Sequence, residues 1–158
     1  FVLNANDTIF ALALASNFEP EPHLAWAIQQ LATLGSLELS HVYQIPCRDG
    51  VGADYLNCAC VLRSHLSSSE MLDLLKDLEH QAGRVRPSHK ISLDIDLIAL
   101  GQNLSDLQLN QKKMPFALDV KIPMYELIAS DDFAYSEQVA YPKLRLALTK
   151  PDRAVATS

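Results

Sequence analysis

The sequence predicts an α+β fold of the ferredoxin-like type, a βαββαβ sandwich in which one antiparallel sheet carries its helices on one face. Three observations lead to this prediction. Two segments with helical spacing of apolar residues alternate with four strand-like segments, 49% of the residues are hydrophobic, and 158 residues suit a single domain spanning residues 1–158. The other face of the sheet is then available for a functional site.

The first half of the chain is predicted to supply a strand, a helix and two further strands. Residues 8–16 (TIFALALAS) form the first strand. An apolar stripe of helical spacing begins at Leu24 and ends at Gly35. Residues 37–46 alternate in polarity and form the second strand, and residues 55–63 form the third, which pairs with it across a glycine-bearing loop.

The second half supplies the remaining helix and strand. Ser67 and Glu70 match a capping box, and the apolar helical stripe that follows them stops at Gly83. Residues 91–100 form the fourth strand, which completes the βαββαβ order. Residues 123–130 predict a short additional helix.

Composition narrows the class of partner and the compartment. The formal net charge is −6 and the pI is about 5.2, which disfavours duplex nucleic acid and anionic membranes as partners but not small anionic ligands. No apolar run approaches the ~20 residues that span a bilayer, and no basic segment followed by an apolar stretch opens the chain. The odd count of Cys47, Cys58 and Cys60 argues against a disulfide framework, so we expect Cys58 and Cys60 to be buried thiols and the protein to be cytoplasmic.

Two carboxylates interrupt the apolar segment SLDIDLI. Asp94 and Asp96 are two residues apart, so on a strand they share a face, with Cα atoms ~6.6 Å apart. Leu93, Ile95 and Leu97 then point to the opposite face and enter the core. Paired carboxylates are ligands for hard cations such as Mg²⁺. The alternative is a solvated strand face without a ligand.

A basic loop precedes this acidic strand. Arg84, Arg86, His89 and Lys90 all lie within it. Carboxylates and cations together suit a phosphate chain, because a metal bridges phosphate oxygens while Arg donates to the others. A basic loop alone would be interpreted as solvated, but beside the two aspartates it indicates phosphoryl transfer.

A second pair of polar residues lies on the third predicted strand. Tyr55 and Asn57 share a face of that strand. An aromatic ring and a carboxamide suit a flat heterocycle, since one stacks and the other both donates and accepts hydrogen bonds. The alternative is a surface tyrosine beside an asparagine at the start of a strand.

Four motifs give the chain a family resemblance over roughly residues 8 to 130. In order, they are ALALASN (11–17), DYLN (54–57), LEHQAGRVR (78–86) and LDIDLIALG (93–101). Together they resemble the 6-hydroxymethyl-7,8-dihydropterin pyrophosphokinase family of folate biosynthesis. That resemblance implies the same ferredoxin-like fold, transfer of a pyrophosphoryl group from ATP to a reduced pterin, and two Mg²⁺ ions. The implied partners are the pterin and ATP.

The resemblance also implies roles for individual residues. Asp94 and Asp96 would hold the magnesium ions and, with Arg84 and Arg86, form the catalytic set. The implied pterin-binding residues are Tyr55 and Asn57, with the backbone of Ile45 and Pro46 near the ring edge. The implied nucleotide-binding residues are Glu79, Arg84, Arg86, Lys90 and Ile98.

The sequence departs from the family pattern at several positions. Ala15 stands where the family has Gly, and Gln44-Ile45-Pro46 replaces Arg-Thr-Pro. Residues 87–92 are shorter than the family's mobile loop and lack its Trp, its Gly-Pro pair and its arginines. Residues 110–123 lack the Pro-His segment and the Arg-Gly-Phe whose Phe stacks on the pterin.

These departures leave three hypotheses. The chain is a working pyrophosphokinase with a short lid and reduced activity, with Phe116, Lys112 and Lys113 as partial substitutes. It is a diverged, non-catalytic relative that binds nucleotide or another flat heterocycle. Or it is a ferredoxin-like domain whose acidic strand is structural and whose role is protein interaction.

Overall fold

The computed structural model describes residues 7–84, 89–136 and 138–148. The strands are β1 Thr8–Ser16, β2 Gly35–Leu39, β3 Val42–Ile45, β4 Tyr55–Ser64, β5 Asp94–Gly101, β6 Gln108–Leu109 and β7 Lys143–Leu144. The helices are α1 Pro20–Ala32, α2 Ser68–Gln81 and α3 Leu118–Leu127. None of the helices in these ranges has the length and apolar character needed to cross a membrane.

The strands form one sheet in the order β6-β5-β1-β4-β3-β7, and β2 also pairs with β4. Every pairing is antiparallel. The second predicted strand is divided into β2 and β3. With that division, the elements from β1 to β5 follow the predicted βαββαβ order, so the predicted α+β ferredoxin-like fold is confirmed.

One face of the sheet, the near face, packs against α1 and α2. Alternate side chains of the central strands, including Phe10, Leu12 and Leu62, join Ile28 of α1 and Met71 of α2 in one core. Helices on one face were predicted, because both helical stripes need an apolar surface to cover.

The two cysteines of β4 belong to this same core. Cys58 and Cys60 are free and buried on the near face, as predicted. Burial raises the pKa of the Cys58 thiol to about 12.

The start of α2 is fixed by the predicted capping box. The Ser67 hydroxyl accepts a hydrogen bond of 3.1 Å from the Glu70 amide, and the Glu70 carboxylate accepts one of 2.8 Å from the Ser67 amide. Two of the four unpaired amides at this helix start are thereby satisfied.

The opposite face, the far face, is covered by α3 over part of its length. Ile9, Val61 and Ile98 pack there against Met124 of α3 and against Phe133. The sequence predicted a face available for a site. In the structure, α3 covers one end of that face, and only the other end remains available for a site.

Several elements differ from their predicted bounds. The fourth predicted strand, 91–100, begins three residues later, at Asp94. The strand predicted at 37–46 breaks at Ser40, whose hydroxyl accepts a 2.9 Å hydrogen bond from the Ala59 amide. The short helix predicted at 123–130 begins five residues earlier, at Leu118 (123 − 118 = 5), and contains Pro123.

Candidate functional site

Polar side chains of β4 and β5 flank a small residue of β1 at the open end of the far face. Asn57 of β4 pairs with Ala15 of β1, which pairs in turn with Asp94 of β5. In the next row Ala13 pairs with Asp96. The two carboxylates therefore share the far face, as the strand period predicts.

A cavity of about 230 Å³, the face cavity, opens above this row. It is lined by Ala15, Cys47, Arg48, Asp49, Tyr55, Asn57, Asp94 and Asp119. The short side chain of Ala15 lies between Asn57 and Asp94 in the row and leaves space between them.

Asn57 is the strongest sign that the face cavity binds a ligand. Its side chain is buried, with the residue 5% exposed, and its Nδ2 has no hydrogen-bond partner among the described residues. An unpaired buried donor costs about 1–3 kcal/mol, so a ligand acceptor at this nitrogen would be favoured. Burial also raises the pKa of the neighbouring Tyr55 hydroxyl, with smaller effects from Cys47 and Asp94.

A second cavity of about 330 Å³, the edge cavity, lies where β5 faces α2. Strand β6 pairs with Ala99 and Leu100, and among the described residues no strand covers the outer edge of the first half of β5. The lining residues are Leu72, Leu75, Lys76, Glu79, Arg84, Asp94, Ile95, Asp96, Leu97, Asn110 and Lys113. Asp94 lines both cavities.

Two cations lie against the carboxylates in the edge cavity. One Nη of Arg84 donates to the Leu93 carbonyl at 3.1 Å and lies 3.5 Å from an Asp94 oxygen. The Arg84 side chain is 10% exposed, and its Nε has no partner among the described residues. Lys113 Nζ lies 3.0 Å from an Asp96 oxygen.

A third carboxylate, Glu79, adds to the negative charge of Asp94 and Asp96 in the edge cavity. Glu79 accepts a 2.9 Å hydrogen bond from the Ile95 amide at the open edge of β5. Burial raises the pKa of Glu79, and the neighbouring charge of Asp94 adds to the increase. Burial likewise raises the pKa of Asp96, again with a contribution from Asp94. The region therefore favours an additional cation.

The donor set fits magnesium better than a closed metal site. Within residues 7–84, 89–136 and 138–148, no group of three or more His, Cys, Asp or Glu side chains is arranged to hold a metal. Magnesium in proteins is bound by one or two carboxylates together with substrate phosphates, and Asp94 and Asp96 supply such a pair.

Four described residues expected at the ligands, Ile45, Pro46, Lys90 and Ile98, are not among those that line the two cavities. Ile45 is buried and Pro46 is exposed, but Cys47 is the residue of this segment that lines the face cavity. Ile98 is 1% exposed in the far-face core, whereas its neighbour Leu97 lines the edge cavity.

Two further residues predicted to bind the nucleotide, Arg86 and Lys90, belong to the segment before β5. Lys90 Nζ lies 5.5 Å from the centroid of the Phe18 ring, a cation–π contact. The side-chain Nδ2 of Asn17 donates to the His89 carbonyl at 2.8 Å and thereby links this segment to the end of β1. Arg86 lies outside the described residues.

The structure adds an ion pair that the sequence did not reveal. Arg48 donates from Nε and Nη2 to the two oxygens of Asp119 at 2.8 and 2.7 Å. Both residues line the face cavity, but they are 71 positions apart and no motif links them. Phe116, considered as a substitute stacking residue, instead packs on Phe133 in the far-face core, with ring centroids 5.5 Å apart.

Comparison with known proteins agrees with the resemblance. Residues 11–134 match the family described as 7,8-dihydro-6-hydroxymethylpterin-pyrophosphokinase (HPPK). A Pseudomonas aeruginosa protein named 2-amino-4-hydroxy-6-hydroxymethyldihydropteridine pyrophosphokinase is 29% identical over 142 residues, which cover 85% of this chain and 82% of the relative. The chain therefore belongs to the 7,8-dihydro-6-hydroxymethylpterin pyrophosphokinase family.

Proposed function

We propose that the chain is a pterin pyrophosphokinase that transfers the pyrophosphoryl group of ATP to 6-hydroxymethyl-7,8-dihydropterin in folate biosynthesis. One observation carries the proposal: Asp94 lines both the face cavity and the edge cavity. A pterin in the first and a nucleotide in the second would meet at this carboxylate. Holding two reactants together in this way makes their reaction effectively unimolecular.

The transfer itself asks for positioning and charge rather than covalent chemistry from the protein. The hydroxymethyl oxygen forms a bond to the β-phosphorus of ATP, and the bond from that phosphorus to the oxygen of AMP breaks. The electron pair leaves with AMP, and the hydroxyl proton is released. The side chains around Asp94 would hold the groups in line and offset the phosphate charge.

The face cavity suits the pterin. Asn57 Nδ2, which has no hydrogen-bond partner in the described part of the chain, offers a donor to a ring acceptor, and the Tyr55 ring beside it offers an apolar face. The backbone at Ile45 and Pro46 remains a prediction for the ring edge, and the lining by Cys47 supports a contact from this segment.

The edge cavity suits the nucleotide. Arg84 and Lys113 would donate to phosphates, and Leu97 offers an apolar contact. The Nε of Arg84 has no hydrogen-bond partner among the residues that the structure describes. Glu79 lies in the same lining. The nucleotide contacts assigned to Arg86, Lys90 and Ile98 remain predictions.

Asp94 and Asp96 would hold the two magnesium ions implied by the family. Their shared face and the raised pKa of Asp96 support this assignment. When bound, magnesium supplies positive charge to the phosphate oxygens.

We expect the transfer to be slow for this family. The segment 87–92 is short and contains no arginine, and its lysine, Lys90, is a point charge without the planar fork of Arg. A positioned arginine contributes 10³ to 10⁵ in rate to phosphoryl transfer, so losing one would slow turnover about 10³-fold.

A second candidate is a non-catalytic relative that binds nucleotide or a flat heterocycle. The burial of Phe116 in the far-face core favours it, because that ring is then not available as a second stacking face. Losing one stacking face removes about 0.5–1.5 kcal/mol beyond area burial, which weakens a ring site without abolishing it.

Calorimetry followed by a product assay separates the candidates. The protein is titrated with ATP and magnesium, then with the pterin, and AMP and the pterin pyrophosphate are quantified. The proposed enzyme binds both ligands and forms the two products in equal amounts. Binding without products supports the non-catalytic candidate, and binding of neither ligand contradicts both.

A further inference from the structure

A salt bridge joins the loop after β3 to the start of α3 at the mouth of the face cavity. Arg48, in that loop, donates twice to Asp119, in the first turn of α3, at 2.8 and 2.7 Å. The Asp119 side chain is 14% exposed, whereas that of Arg48 is 69% exposed. Asp119 is thus the fixed partner, and it sets the plane of the Arg48 guanidinium.

The loop that carries Arg48 is held in place on its other side. Gly52 has φ +92°, a conformation that favours glycine, and a Cβ there would lie 3.4 Å from the His89 carbonyl oxygen. Within the loop, Asp49 accepts a 2.9 Å hydrogen bond from the Val51 amide. The loop therefore packs against the segment that precedes β5, and Arg48 is presented from an anchored turn.

Arg48 is the only cation among the described residues that line the face cavity, beside the carboxylates of Asp49, Asp94 and Asp119. The hydrogen bonds with Asp119 raise the pKa of Arg48, and the charges of Asp94 and Asp96 add to the increase. Arg48 and Asp94 line the same cavity, so the guanidinium lies on the pterin side of the carboxylate pair.

The salt bridge leaves Arg48 with donors to spare. A guanidinium has five N–H groups. Asp119 takes one from Nε and one from Nη2, so three remain, two of them on Nη1. A planar fork with free donors, aimed by a carboxylate, is well suited to phosphate oxygens.

We propose that Arg48 binds the pyrophosphoryl group where it passes from nucleotide to pterin, and that Asp119 is its positioning residue. This assignment rests on the proposed function, because it places the moving group beside Asp94. It gives the pterin side of the site a cation to match Arg84 and Lys113 on the nucleotide side.

The test compares Arg48→Ala, Arg48→Lys and Asp119→Asn with the parent enzyme. Arg63→Ala is the matched control, because Arg63 pairs with Glu38 at 3.3 Å toward the opposite end of β4. For each protein, kcat and KM are measured for both substrates, and the affinity for inorganic pyrophosphate with magnesium is measured by calorimetry.

We expect Arg48→Ala to lower kcat by about 10²-fold or more, the usual effect of removing one preorganised donor. Its KM for the pterin should change little, because the contact strengthens as the group moves. Arg48→Lys should recover part of kcat, since it restores the charge without the fork. Asp119→Asn should lower kcat about tenfold with KM unchanged, which a purely structural role would not do.

Pyrophosphate binding separates this inference from the proposed function. If the parent forms no product but binds pyrophosphate in a manner lost in Arg48→Ala and kept in Arg63→Ala, the proposed function falls, and of the inference only the role of Arg48 as a pyrophosphate ligand stands. If the parent turns over and Arg48→Ala retains both kcat and pyrophosphate affinity, the inference is wrong. Equal losses in Arg63→Ala, or a parent that neither turns over nor binds pyrophosphate, also overturn it.

Discussion

The far face of the sheet changes character along the same three strands. At one end its side chains are apolar and lie beneath α3, and at the other they are polar or small and line the two cavities. The covered end consists of Ile9, Ala11, Ala59, Val61, Ile98 and Ala99. The site end consists of Ala15, Tyr55, Asn57, Asp94 and Asp96.

The two ends differ in how many of their buried polar atoms have hydrogen-bond partners. Among the described residues, four buried side-chain polar atoms lack a hydrogen-bond partner, and two of them belong to Asn57 and Arg84, which line the cavities. The covered end buries apolar surface, which is complete without a ligand. Stability is therefore expected to depend on the covered end, and ligand binding on the site end.

The largest expected effect comes from the site end. Replacing Asp94 and Asp96 together by Asn should abolish magnesium-dependent ATP binding, because both proposed carboxylate ligands of the metal would be lost. The free energy of unfolding should stay within about 1 kcal/mol of the parent value. Calorimetry and urea unfolding measure the two quantities, with Asp131→Asn/Asp132→Asn, an exposed acidic pair, as control. ATP binding that survives in the Asp94/Asp96 variant would contradict the metal assignment.

Truncation of a buried side chain at the covered end should lower stability and leave ligand binding unchanged. Phe133 is 1% exposed and stacks on Phe116, so Phe133→Ala should cost about 3–5 kcal/mol of unfolding free energy. Pterin affinity, measured where the variant is still folded, should be unchanged. Phe18→Ala removes an exposed ring and should cost far less. A large loss of pterin affinity in Phe133→Ala would show that the two ends are not separable.

A single substitution at Asn57 should have a smaller effect within the site end. Asn57→Ala should weaken pterin binding by about 1–3 kcal/mol, the value of a buried polar group left without its partner. Its thermal midpoint should not fall, since the Nδ2 that is removed has no partner among the described residues. Asn103→Ala, at an exposed position, is the matched control. Unchanged pterin affinity in Asn57→Ala would count against a pterin site.

The smallest effect tests how α3 is held at the boundary between the two ends. Glu126 of α3 accepts a 2.7 Å hydrogen bond from the Tyr43 hydroxyl and lies 2.9 Å from His41 Nδ1. Burial raises the pKa of Glu126, but these hydrogen bonds lower it more, so it lies below the usual value. A lowered carboxylate pKa contributes stability above the unfolded value of 4.5, and that stability is lost as the pH falls through the folded pKa.

Glu126→Gln should therefore cost about 1 kcal/mol at pH 7, after allowance for its partial exposure. The difference from the parent should shrink as the pH falls below about 4.5. Urea unfolding across this pH range measures it, and Glu38→Gln, more exposed and in a longer ion pair, should have little effect. A difference that is constant with pH would rule out the charge of Glu126 as its source.

Local patterns predicted most of the near face and part of the site. The capping box of Ser67 and Glu70, the strand carrying Asp94 and Asp96, and their shared face all follow from spacing within a few residues. Such features need no knowledge of the rest of the chain, because each is decided by neighbouring positions.

The far face was less predictable, because it depends on contacts between distant segments. Ser40 interrupts a strand by bonding to Ala59, and a single serine gives no warning of this in the sequence. The Arg48–Asp119 pair joins positions 71 apart. Ile98 follows the same alternation as Asp94 and Asp96, but it falls under α3 and is buried, which only the position of that helix decides.

The most direct test of the proposed site is a structure of the protein with magnesium, α,β-methylene ATP and 6-hydroxymethyl-7,8-dihydropterin. We expect the pterin in the face cavity against Tyr55 with Asn57 Nδ2 donating to the ring, the nucleotide in the edge cavity, and the metal on Asp94 and Asp96 between them. A pterin bound outside the face cavity, or a metal bound away from both aspartates, would contradict the proposed site.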